Sequence, residues 1–189
     1  MDDDTLLADM RAWIEKAVIG LDLCPFARSA YVEQRVRFVV SDAPHADAFL
    51  EQLDRELEFL AAADPADIET TLLIHPTLFA DFEVFNDIAG IAEEAVVEHG
   101  LEGVVQVASF HPRFRFADTE PDDISNYTNR APWPTLHLLR EASITRVLEH
   151  VADPDAIYER NIATLEKLGH DGWRDLGLRD AAHEPDPSS

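Results

Sequence analysis

A single cysteine, Cys24, stands in a chain of 189 residues. It excludes an internal disulfide framework and any cysteine-rich zinc site. Positive charge is also scarce: 15 basic side chains face 38 acidic ones, a formal net charge of −23. That balance speaks against nucleic acid or an anionic membrane as partner, since both require a basic footprint. Lysine is nearly missing, with only Lys16 and Lys167 beside the arginines. An acidic, lysine-poor surface suits work at high salt, and a high-GC genome would produce the same bias. No apolar run approaches the roughly 18 residues of a membrane span. The start, MDDDTLLADMRAW, is acidic where a leader would be basic, so a cytoplasmic protein is expected. Glycine-rich phosphate loops, nucleophile elbows and paired-histidine ligand spacings are missing as well. The sequence therefore names no cofactor and no metal.

The length fits one domain, expected over residues 1–180, with a flexible acidic tail over 181–189. Leu6, Met10, Trp13, Ile14, Ala17 and Leu21 form a helical stripe behind Asp2, Asp3 and Asp4. Pro25 stops that helix at Leu23-Cys24. Strands are expected at Val36–Val40, Ile68–His75 and Val104–Phe110, with helices over 44–60 and 81–99 between them. About 25 residues of loop and two further helices follow. The order α-β-α-β-α-β-loop-α-α predicts an α/β or α+β domain: one small sheet of about three to four strands packed by helices.

Chemistry concentrates between Ser109 and Glu141. In an extended segment His111, Arg113 and Arg115 share one face and Phe114 and Phe116 the other. From Ile124 to Arg140 there is no carboxylate, so Arg130 and Arg140 form a positive island on a negative molecule. A helix is expected from Leu136 to about Val151, N-capped by Thr135 after Pro132 and Pro134. At about 100° per residue, His137 and Arg140 fall inside its apolar arc and Glu141 at the edge. A charge in that position either pairs internally, with Glu69 as the candidate partner, or lines a ligand cavity. The second arrangement is the expected one. Asn161 occupies the same kind of position on the last helix and must satisfy its amide. Asn126 and Asn129 would add amide donors and acceptors beside a helix N-terminus suited to phosphate or carboxylate.

The segments GLDLCPFA, ETTLLIHP, QVASFHPRFRFADT, SNYTNRAPWPTLHLLREASI, ERNIATLEKLG and GW occur in this order. In them the chain resembles an uncharacterised bacterial family, domain of unknown function 1415, from Trp13 to about Trp173. The resemblance implies a single-domain cytosolic protein and no particular reaction.

The residues themselves lead to an expected function: a small enzyme acting on an anionic small molecule. Arg113, Arg115, Asn126, Asn129, Arg130, Arg140, Asn161 and Glu69 would surround the substrate. His111 or His137 would transfer protons, with Glu141 at hand; Cys24 is an inert core thiol on the commoner reading of a lone cysteine beside a proline, and the nucleophile on the other. The alternative is a non-catalytic module that binds an anion or a protein through the same loop. A catalytic centre should bring His111 or His137 within about 3–4 Å of Cys24, Glu69 or Glu141. A metal site of His111 and His137 with Cys24 or Glu69 is a third, less favoured arrangement.

Overall fold

The structure, a computed structural model, describes residues 2–148 and 155–179. The tail expected over 181–189 lies outside the described residues. The chain opens with helix α1 (Asp3–Trp13), whose first turn is closed by Asp2 accepting from the Thr5 N–H at 2.8 Å. It continues into a π-helix over Ile14–Ile19. A short helix α2 (Ala27–Val32), absent from the sequence reading, begins two residues after Pro25. Then come β1 (Val36–Val40), α3 (Ala46–Ala62), β2 (Thr70–Ile74), α4 (Phe82–Glu98) and β3 (Val105–Phe110). These five stand where the hydrophobic pattern put them.

A long loop with one 3-10 turn, Ile124–Thr128, leads to β4 (Thr135–Arg140), α5 (Glu141–Leu148) and α6 (Asp155–Asp175). The four strands make one mixed sheet in the order β1-β2-β4-β3. Strands β1 and β2 are parallel, joined by the α3 crossover, whereas β4 is antiparallel to both its neighbours. The sheet is therefore completed by the strand that comes last in the chain.

That strand corrects the expected helix over 136–151: its first five residues, Leu136 to Arg140, are β. Thr135 is not an N-cap either, for its hydroxyl donates to the Trp133 carbonyl at 2.9 Å. Leu136 and Leu138 point to one face and His137 and Leu139 to the other, so Arg140 is not in the stripe of a helix. A central strand with both faces covered is apolar nearly throughout, and over six residues such a run cannot be told from a helical stripe by period. Only α5, shorter than expected, remains of the helix.

Each sheet face carries a core. On one, α3 and α4 bring Phe49, Leu53, Leu57, Phe85 and Ala92 onto Leu73, Leu136 and Leu138. On the other, α1, the π-helix and α6 bring Leu6, Met10, Trp13 and Leu165 onto Leu72 and Ile74. Fully burying one such Leu or Phe side chain contributes about 1.5–3 kcal/mol. The result is three layers, helices on both sides of the sheet. No helix among the described residues is long and apolar enough to cross a membrane.

Candidate functional site

The residues singled out above fall into two places on the molecule, separated by the sheet and its loops. The first is the end of the sheet where β1, β2 and β3 finish. Each of these strands is followed by a buried polar residue, Ser41, His75 and His111. The Ser41 hydroxyl donates to Gln52 Oε1 at 2.6 Å. His75 Nδ1 accepts from the Leu78 N–H at 3.0 Å, and its Nε2–H donates to the Ala43 carbonyl at 2.9 Å. His111 repeats that pattern one strand further on: Nδ1 accepts from the Arg113 N–H at 3.0 Å and Nε2–H donates to the Phe79 carbonyl at 2.9 Å. Both rings lock a loop, and both are neutral. Burial drives His75 below its ordinary value and His111 down to about 4, with Arg113 and Arg130 adding to the effect on His111. With both nitrogens engaged, His111 has none left for a substrate.

The long loop beyond His111 is held by its own side chains. Asn126 is fully buried. Its Oδ1 accepts from the Phe116 N–H and the Thr119 hydroxyl, at 3.0 and 2.7 Å, while Nδ2 donates to the Glu120 carbonyl. Asn129 donates to the Ser109 carbonyl at 3.2 Å. Arg130 lies 4.1 Å above the Tyr127 ring and donates to the Phe114 and Pro121 carbonyls. These three residues build the loop. Of the three only Arg130 borders an open groove of about 1190 Å³ between the loop, the start of α4 and the last turns of α6. Arg113, Arg115 and Arg130 line it together with Asp81, Glu83, Asp122 and Asp171. Arg115 pairs with Glu83 at 3.3 Å, while among the described residues Arg113 has no ion-pair partner. The expected cluster of arginines thus exists, but carboxylates accompany it.

The second place is a cavity of about 220 Å³ between the α1 layer and the sheet, at the opposite end of the sheet. Its floor is Val36, Thr70, Leu72, His137 and Leu139; its roof is α2 with Cys24 and Phe26 before it. Ile14 and Val18 of the π-helix form one wall, and Ser143 and Ile144 of α5 another. A π-helix packs an extra residue into its turn and is frequent at functional sites. Cys24, Glu69, His137 and Arg140, chosen from three separate segments, all border this one space.

Burial pushes the Cys24 thiol up, opposed by the backbone N–H groups of Phe26 and Ala27, so it is protonated and a poor nucleophile at neutral pH. The loop carrying it is clamped from α6: Asn161 donates to the Leu23 carbonyl at 2.7 Å and Arg160 to the Asp22 carbonyl at 2.8 Å. Asn161 therefore acts behind the cavity wall. Its Oδ1 is buried and unpartnered among the described residues. Glu69 pairs with Arg35, not with Arg140. Arg140 borders the cavity as expected, but its hydrogen bonds go to backbone: it donates to the Ala63 carbonyl at 2.7 Å and twice to the Ile68 carbonyl, with the Asp64 carboxylate acting on it through space. Glu141 opens α5 and borders none of the cavities described here.

His137 is the polar centre of the floor. Its Nε2 lies 2.7 Å from Thr70 Oγ1, and burial alone holds the ring's pKa at about 4. It makes no hydrogen bond to Cys24, Glu69 or Glu141, so no nucleophile–base pair is assembled. Thr70, its actual partner, was missed because it is reached only through the β2–β4 pairing, in which Leu72 faces His137 and Thr70 faces Leu139. Among the described residues no three His, Cys, Asp or Glu side chains gather as a metal site.

Residues 5–175 match the family described as Protein of unknown function (DUF1415), and the chain belongs to that family. No curated protein and no solved structure matches it.

Proposed function

We propose that the protein is a small enzyme whose site is the 220 Å³ cavity, acting on a small organic molecule by proton exchange at Nδ1 of His137. The observation that supports it is the convergence of Cys24, Glu69, His137 and Arg140 on one mainly apolar space. A half-buried imidazole with one nitrogen tied to Thr70 has the fixed orientation a proton carrier needs. Cys24 shapes the wall and stays a thiol. Arg140 and the Arg35–Glu69 pair close the lower end.

A screen of small metabolites by thermal shift tests the reading. A ligand binding only the native state at about 100 times its Kd adds about 2.7 kcal/mol. Stabilisation should vanish in Ala30→Trp, which fills the roof beside the cavity, and turnover should vanish in His137→Gln but survive Cys24→Ala. Ligands that stabilise wild type and Ala30→Trp equally would remove the cavity from the function.

A second reading is favoured by Arg113, which has no ion-pair partner among the described residues: an anion-binding module that uses the long-loop groove, with no chemistry. Here inorganic phosphate should stabilise wild type and lose its effect in Arg113→Ala. Phosphate without effect on either protein would dismiss it.

A further inference from the structure

The hydrogen positions around Thr70 can be counted. Its hydroxyl has one hydrogen, and Oγ1 lies 2.6 Å from the Leu138 carbonyl oxygen and 2.7 Å from His137 Nε2. A carbonyl oxygen only accepts, so Thr70 donates there. The contact with His137 then needs its hydrogen from the ring, and Nε2 carries it. A ring held neutral by its burial has no second hydrogen, which leaves Nδ1 as a bare lone pair. Nδ1 makes no hydrogen bond among the described residues.

The guanidinium donors on the wall are already engaged. Arg35 holds Glu33, Glu69 and the Pro65 carbonyl. Arg140 holds the Ala63 and Ile68 carbonyls. Arg146 is likewise engaged, and the Tyr31 hydroxyl donates to Glu15 at 2.6 Å. A carboxylate or phosphate entering this space would lose its water and have to compete with these carbonyls and carboxylates for the guanidinium hydrogens, a steep cost. One further polar atom does wait at the wall: Ser143 Oγ, buried and unpartnered among the described residues.

We infer that the cavity takes a neutral molecule with an apolar body, which donates an O–H or N–H hydrogen to His137 Nδ1, with the Ser143 hydroxyl as a second polar group in the lining. The inference rests on the cavity being the site, as proposed above. It replaces an anionic substrate with an alcohol, phenol, amide or amine of modest size. An apolar cavity of about 150 Å³ is known to hold benzene, so 220 Å³ accommodates a ring plus one or two heavy atoms.

Two measurements on the full chain test it. Long-range ¹H–¹⁵N correlation of the His137 ring should show hydrogen on Nε2 and none on Nδ1. Thr70→Ser should preserve that pattern, while Thr70→Val should mix the tautomers. Benzyl alcohol, benzyl methyl ether and benzoate then serve as probes, followed by calorimetry and by the His137 resonances. Benzyl alcohol should bind and shift the Nδ1 signal, the ether should bind at least about tenfold more weakly, and benzoate should not bind. A ring protonated on Nδ1, or an ether or benzoate binding as well as the alcohol, overturns the inference and leaves the cavity as the site. Binding by none of the three overturns both.

Discussion

Arg140 ends β4 with its guanidinium turned toward the carbonyls of Ala63, at the end of α3, and Ile68, just before β2. It thereby satisfies backbone acceptors of two elements that no helix or strand bond reaches. Hydrogen bonds from a charged donor are each worth about 1.5–3 kcal/mol, and acceptors left buried without one cost a similar amount. Arg140→Met is expected to lower stability by about 2–4 kcal/mol in urea unfolding, while any stabilisation by phosphate stays as in wild type. Unchanged stability would show that water replaces the guanidinium at these carbonyls. Cys24 allows a second test at the same scale. Because burial pushes its thiol up, native protein at pH 7.5 should resist iodoacetamide and react within minutes once unfolded. Rapid alkylation of the folded protein would restore the nucleophile that the sequence suggested.

At the scale of elements, the strand ends explain both what the sequence reveals and what it conceals. Strands β1, β2 and β3 and helices α1, α3 and α4 were legible because each presents a clean period against one or both cores. Strand β4 was not: TLHLLR is leucine-rich, has both faces covered, and pairs with β2 across more than sixty residues of chain. Its misreading displaced Arg140 and hid Thr70 behind His137. The groove arginines were legible as a local excess of one charge, yet the carboxylates around them come from the start of α4 and from α6 as well as from the loop's own Asp122. The histidine latches carry a measurable signature. His111 and His137 titrate near 4 in the folded chain, against about 6.5 when unfolded. The unfolded state therefore binds more protons in this interval, and stability falls as pH falls. The contribution is complete above about pH 6.5 and lost on the way down to about 4, up to roughly 3 kcal/mol for each ring. His111→Gln, which keeps a donor for the Phe79 carbonyl and cannot ionise, should cut that slope in urea midpoints measured from pH 7 to 4.5. A slope as steep as wild type's would mean that the ring is protonated without loss of its latch.

For the whole molecule the dominant quantity is charge. With −23 formal charges on a chain of 189 residues, most pairs of surface carboxylates repel, and the described ion pairs relieve few of them. Several of those pairs are largely exposed, such as Arg174–Asp171 and Arg160–Asp22. Pairs of that kind contribute about 0–1 kcal/mol and weaken with salt. Repulsion acts over longer distances than pairing, so screening removes more of the former than of the latter. The Debye length shrinks from about 30 Å at 0.01 M salt to about 10 Å at 0.1 M and 3 Å at 1 M. Across that range most long-range repulsion disappears, whereas the two cores and the buried histidine bonds are untouched. The melting temperature is therefore expected to rise between 0.01 and 0.5 M NaCl, and to do so equally in Arg113→Ala, because one surface cation does not set the total. An equal rise in potassium chloride and sodium chloride would identify screening, since neither ion is then bound at a particular place. Flat or falling stability over the same range would mean that the acidic surface is balanced at low salt and was not shaped by repulsion.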